Sequence, residues 1–202
     1  PRSTLFPYTT LFRSDQDTIV FFTSDNGGAM RIRGDDYFQS YGPFRGFKQN
    51  LYEGGIRVPM LARWPDRIPA GRISDFPWMF QDAMPTFAEI AGARAPSGID
   101  GMSVLPTLTG KRQKPHEFLY WELPRYIGKT GEFQKETPMQ AVRMGEWKAV
   151  RPKPNAPLEL YNLKTDIGET RDVAAENPKV MARIEAYLKT ARTEPRHQVE
   201  PP

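Results

Sequence analysis

The run Thr18-Ile19-Val20-Phe21-Phe22-Thr23, continuing as Ser24-Asp25-Asn26-Gly27-Gly28, decides how the rest of the chain is read. Its first part is β-branched or aromatic throughout, without alternation, the pattern of a strand buried on both faces of a parallel sheet. Open α/β sheets bind their ligands at the carboxyl ends of such strands. At that end an acid and an amide stand side by side. Asp25 offers an anionic oxygen and Asn26 a neutral carbonyl oxygen, the donor chemistry that Ca²⁺ or Mg²⁺ prefers. Gly27 and Gly28 permit a sharp turn away from a crowded site. By itself Asp-Asn-Gly is also an ordinary turn signal, so the weight falls on what comes next.

What comes next is Gly46-Phe47-Lys48-Gln49-Asn50-Leu51-Tyr52-Glu53-Gly54-Gly55-Ile56-Arg57-Val58-Pro59. Thr23-Ser24-Asp25-Asn26-Gly27 paired with Lys48 and with Tyr52 to Pro59 resembles the sulfatase family of the arylsulfatase type. The resemblance implies that Asp25 and Asn26 complete the ligand shell of a divalent cation, Ca²⁺ before Mg²⁺. It also implies that Lys48 is a catalytic residue that contacts the sulfate of the substrate. The chemistry agrees with that implication. A sulfate ester is anionic and gains charge on its leaving oxygen as it is cleaved, so a cation and an ammonium aimed at it stabilise the transition state.

The family's nucleophile, a formylglycine made from Cys or Ser, belongs to an upstream motif with no counterpart here, as do further acidic ligands, histidines and a second lysine. Tyr41-Gly42-Pro43-Phe44-Arg45 has the spacing of the nucleophile signature, but a tyrosine cannot become formylglycine, and the match is read as chance. The expectation is therefore the C-terminal portion of a sulfatase whose catalytic aldehyde lies in the missing N-terminal half, with this chain inactive on its own. The substrate would be a small-molecule or glycan sulfate ester. A related phosphoester or phosphonate hydrolase of the alkaline-phosphatase-like superfamily is the second reading, and a non-catalytic module that retains the fold is the third.

Composition narrows the classes without choosing among them. The 202 residues contain no cysteine, which excludes a disulfide framework and thiolate chemistry. The two histidines, His116 and His197, are far along the chain from Asp25, which argues against a His-rich zinc centre. No apolar run approaches the ~20 residues of a membrane span. The net charge of +4 is carried by the stretch from Arg31 to Arg72, where Arg45, Lys48 and Arg57 fall. An excess of that sign beside an anion site would steer an anionic substrate. There is no Lys/Arg run or nucleic-acid motif, and no nucleic-acid partner is expected. The family resemblance makes a periplasmic or secreted setting natural, but no signal peptide is recognisable and the compartment stays open.

The fold expected is α/β: the C-terminal part of an alkaline-phosphatase-like sulfatase core, then a small antiparallel sheet with a helix as C-terminal subdomain. The corresponding segments are 1–14, a non-native leader; 15–112, core; 113–194, subdomain; and 195–202, tail. Residues 29–47 read as a polar, glycine-containing loop overhanging the site. Ile56 to Trp64 reads as the next strand, at an edge or bulge because of Pro59. Arg57 reads as the partner of Glu53. Asp82 is expected to cap a helix that has Pro85 in its first turn and Gly92 at its end. Asp82-Ala83-Met84-Pro85-Thr86 and Asp100 to Pro106 also resemble sulfatase stretches. Later runs are short and alternate, with Gly145-Glu146 as a hairpin turn. A final helix opens at Asn177-Pro178 and turns Val180, Ile184 and Leu188 inward.

Overall fold

The structure, a computed structural model, describes residues 14–29, 41–123 and 138–193, and the backbone of two short strands at 126–127 and 132–133. The leader up to residue 13, loop residues 30–40 and the tail from 194 lie outside the described residues. The chain divides into two compact units, Pro1–Asp25 with Val58–His116, and Asn26–Arg57 with Glu117–Pro202. Residues 26–57 thus group with the later sheet rather than with the core segment expected to run from 15 to 112.

In the first unit, β1 (Val20–Thr23) pairs with β2 (Met60–Arg63), Val20 opposite Arg63 and Thr23 opposite Met60. The pairing is antiparallel, and β1 is not buried on both faces as its apolar run implied. Phe21 points inward, edge-on to Phe87 at 5.4 Å and to Trp78 at 6.4 Å. Phe22, on the opposite face of the pleat, is 64 % exposed beside its cross-strand partner Leu61 at 67 %. Among the described residues this sheet has two strands, so one face is covered and the other is not. β2 is also shorter than expected: Pro59 precedes it instead of lying within it, and Ile56 belongs to a helical turn.

A 3-10 turn (Phe80–Asp82) leads into α2 (Ala83–Ile90), which ends at Gly92 in the left-handed region, with Ala93 N–H bonded to the Ala88 carbonyl. That C-terminus is the one expected. Asp82, however, does not cap α2: its side chain makes no capping bond and its backbone is already helical. Fully buried, its carboxylate accepts the N–H of Met79 at 2.9 Å and of Met102 at 2.8 Å, and meets His116 Nε2 at 2.9 Å. It ties the start of the helix to the chain that returns past α3 (Leu105–Leu108). Capping of α2 was the inexpensive sequence explanation; the buried carboxylate instead reaches back to the amide that opens the 3-10 turn, at Met79, and across to the distant amide of Met102. Asp82→Ala strands both, and should lower stability by about 2–3 kcal/mol, with Asp82→Asn in between because it keeps one acceptor. Urea denaturation of the three proteins measures it, and equal midpoints would contradict this role.

The second unit contains an antiparallel sheet in the order β3 (Leu119–Leu123), β6 (Met139–Met144), β7 (Trp147–Arg151), β8 (Glu159–Asn162). Between β3 and β6, the two-residue strands β4 (Tyr126–Ile127) and β5 (Glu132–Phe133) pair with each other. β6 and β7 meet at Met144 and Trp147 across the expected two-residue turn, with Gly145 at φ +61°. The sheet is covered on both faces. Val142, Met144, Ala149 and Leu160 pack under α4 (Pro178–Leu188) through Ile184, with Val180 and Leu188 beside it, as the helical spacing implied. Phe118 stacks on Tyr187 at 4.2 Å. Residues of opposite parity, Ala141, Val150 and Tyr161, pack instead against Leu51 and Tyr52. The segment carrying Lys48 and the Glu-Gly-Gly motif is therefore the cover of the sheet's second face.

Candidate functional site

The site is built from backbone that has no room for side chains. Gly27 N–H donates to the Gly55 carbonyl at 2.9 Å, Lys48 N–H to the Gly28 carbonyl at 2.9 Å, and Gly54 N–H to the Arg45 carbonyl at 2.7 Å. A Cβ on Gly27 would overlap the Gly54 carbonyl, one on Gly54 the Gly46 carbonyl, and one on Gly55 the Asn50 carbonyl. These glycines are required by close approach of main chain to main chain, not by left-handed φ. They lock the turn after Asn26, the loop of Lys48, and the short helical turn α1 (Glu53–Ile56) into one register.

Asp25 lies two residues beyond the end of β1 and is exposed. The division between the two units falls between it and Asn26. Asn26 is half-buried, and its Nδ2 donates to the Gly27 carbonyl at 3.0 Å. With the donor end of the amide engaged, Oδ1 is the end that suits a hard cation. Lys48 is exposed, and its main chain is fixed through Gly28. Asn26 and Lys48 are thus on directly hydrogen-bonded backbone segments. Among the described residues no group of three Asp, Glu, His or Cys side chains is gathered as a metal centre. Asp25 and Asn26 have the right oxygen chemistry, but as two donors in a shell of six to eight. A cavity of about 300 Å³ in the first unit is lined by Trp64, Arg67, Ile90, Leu105 and Lys111 among others.

Behind the loop sit two polar clusters that motif reading did not find. In one, Lys148, fully buried on β7, places Nζ 2.8 Å from Glu53 Oε1 and 2.9 Å from Glu169 Oε1. The contact with Glu53 is a hydrogen bond; that with Glu169 is ionic but not aligned as one. The other oxygen of Glu169 accepts the Glu53 backbone N–H at 2.6 Å. Burial alone would push the Glu53 carboxyl up, yet Lys148, with Arg143 and Arg57 behind it, holds it below the usual range. For Glu169 the balance reverses: burial pushes the carboxyl up and Lys148 offsets only part. Arg57 reaches Glu53 Oε2 at 3.4 Å, the pairing expected from sequence, and lies over the Phe44 ring.

In the other cluster, Glu159 accepts the hydroxyls of Tyr52 and Tyr161, both at 2.6 Å. Arg45 donates to the Tyr161 hydroxyl and to the Glu169 carbonyl, each at 2.9 Å, with its guanidinium 3.9 Å from the centre of the Tyr52 ring. Burial, then the bonds to Glu159, push both phenols above their ordinary range. Arg45, last residue of the nucleophile look-alike, is thus a strut between loop and sheet. A signal was present in the sequence, since Lys148 stands between Trp147 and the apolar pair Ala149-Val150. Spacing, however, could not say what covers it.

Residues 42–198 match the family model described as N-sulphoglucosamine sulphohydrolase, C-terminal. Mouse steryl-sulfatase is 42% identical over 118 residues, which are 55% of this chain and 19% of that protein. The crystal structure of Ps i-CgsB in complex with k-i-k-neocarrahexaose superposes with a TM-score of 0.75 at 31% identity, covering 97% of this chain and 42% of that one. The phosphonate monoester hydrolase SpPMH from Silicibacter pomeroyi shares the fold, with a TM-score of 0.67 over 93% of this chain and 37% of its own at 20% identity. The chain spans about a fifth of the length of the steryl-sulfatase it matches. With the motif glycines packed as above and the antiparallel sheet and helix behind them, the chain belongs to the sulfatase family, in the region its C-terminal model describes.

Proposed function

We propose that this chain supplies part of the active site of a sulfuric ester hydrolase: two metal ligands, Asp25 and Asn26, and the sulfate-binding, catalytic lysine, Lys48. The observation that carries the reading is the direct bonding of the Asn26–Gly28 turn to the Lys48 loop and the Glu-Gly-Gly turn through buried or half-buried main chain. Asp25 and Asn26 suit Ca²⁺ better than Mg²⁺, because the larger ion tolerates an irregular mixture of carboxylate and amide oxygens. When bound, such an ion supplies positive charge against the oxygens of the sulfate group. Lys48 supplies a second positive charge from a loop whose main chain cannot shift, which favours the more highly charged transition state over the ground state. The nucleophile in this reading is a formylglycine outside the present chain.

The substrate class is an organic sulfate ester, small-molecule or glycan. Similarity to a steryl-sulfatase supports the former, and similarity to a protein crystallised with a neocarrahexaose supports the latter. The metal assignment is tested by the calcium content of the purified full-length protein. The wild type should retain about one ion per chain, and Asp25→Ala and Asn26→Ala should each lose most of it. Equal calcium in all three would refute the assignment. Turnover of an aryl phosphonate in preference to the matching aryl sulfate would instead favour the phosphonate-hydrolase reading, for which the shared fold is the sole support.

A further inference from the structure

We propose that Lys148 and Glu169 are positioning residues for the Asn26–Lys48 site, acting through Glu53. The inference deepens the sulfatase reading and rests on it for its activity arm. Lys148 is fully buried, and so is Glu169; Glu53 is 3% exposed. Three buried ionisable side chains on one contact are costly to desolvate, and an apolar trio of equal volume would cover the sheet more cheaply. What the charges add is direction. Lys148 Nζ grips the Glu53 side chain at 2.8 Å while Glu169 grips the Glu53 backbone N–H at 2.6 Å, so α1 is held at its first residue by two unlike bonds.

From there the path to the site is main chain only. Gly54 N–H is bonded to Arg45, and the Gly55 carbonyl receives Gly27 N–H; the Gly28 carbonyl receives Lys48 N–H. The overlaps that a Cβ would make at Gly27, Gly54 and Gly55 leave no slack in which a shift of α1 could be absorbed. A displaced Glu53 therefore moves Asn26 and Lys48 together. The geometry makes β7 and the turn at Glu169 the anchor of the site.

The test uses the full-length protein with Lys148→Met, Lys148→Arg and the double variant Lys148→Met with Glu169→Gln. The double variant matters because Lys148→Met alone leaves the buried Glu169 carboxylate without its cation and Glu53 with Arg57 at 3.4 Å, and can fail to fold. Amide exchange of peptides covering 26–28 and 46–55 should accelerate at least tenfold in the folded double variant, with α4 unchanged. Turnover of a sulfate ester should fall at least tenfold with KM raised, and Lys148→Arg should recover more activity than Lys148→Met. A folded double variant with wild-type exchange at 26–28 and 46–55 would overturn the proposal. So would loss of folding in the double variant, since the cluster would then be a stabilising element and nothing more. If the wild type hydrolyses no sulfate ester, the sulfatase reading fails while the exchange measurement still decides whether the clamp exists.

Discussion

Lys48→Ala in the full-length protein is expected to lower turnover of a sulfate ester by about 10²- to 10³-fold, the usual cost of removing one preorganised charge or donor from a transition state. The fold should be indifferent to it. The Lys48 side chain is exposed, and the bond that holds its loop is made by the backbone N–H to Gly28, which alanine keeps. The melting temperature should therefore stay within about a degree or two of the wild type, the response of an ordinary surface substitution. Lys48→Arg should recover only part of the rate, because a broad planar guanidinium replaces a compact point charge. The decisive comparison is kcat for the three proteins at saturating sulfate ester. Undiminished kcat in Lys48→Ala would remove Lys48 from the mechanism, whatever the calcium content shows.

The contrast between Lys48 and Lys148 marks what one-dimensional patterns reveal. Lys48 is singled out by the motif around it, through the resemblance of that motif to the sulfatases, and its role is the one proposed above. Lys148 is not, because its role depends on Glu53 and Glu169, each distant in sequence, and on which face of β7 is covered. The same limit explains β1. A continuous apolar run states that both faces can be buried, but the number of strands beside it is set by the partners available. Among the described residues β2 is the strand that pairs with it, and Phe22 stays exposed. Local signals fared better. Gly145 in the β6–β7 turn, Gly92 after α2 and Pro178 at the start of α4 each act through the backbone of their own residue, and each lies where its chemistry requires. Asp82 is instructive: it does not cap α2, but its carboxylate closes the 3-10 turn ahead of it through the Met79 amide and spends its other oxygen on Met102, far along the chain.

Gly54→Ala should be strongly disruptive to the second unit, destabilising the protein by about 3 kcal/mol, the upper range for overpacking. Its Cβ would overlap the carbonyls of both Gly46 and Arg45. Backbone oxygen cannot rotate aside as a side chain can, so the strain must be relieved by moving α1 or the Lys48 loop. Either movement breaks the Gly54–Arg45 bond and pulls Gly55 from Gly27. Loss of stability and loss of the proposed calcium ion should therefore occur together. Gly145→Ala is the informative control. It forces a non-glycine into the left-handed region at φ +61°, but nothing lies within 4 Å of the added atom. Its cost should be about 1 kcal/mol, the conformational penalty alone, with calcium content unchanged. Thermal melts of the two variants, with calcium measured on the same samples, separate the cases. Equal small losses of stability at both glycines would mean that main-chain packing around the Glu-Gly-Gly turn is looser than its geometry states, and that the site is not held by the interlock of Gly27, Gly54 and Gly55.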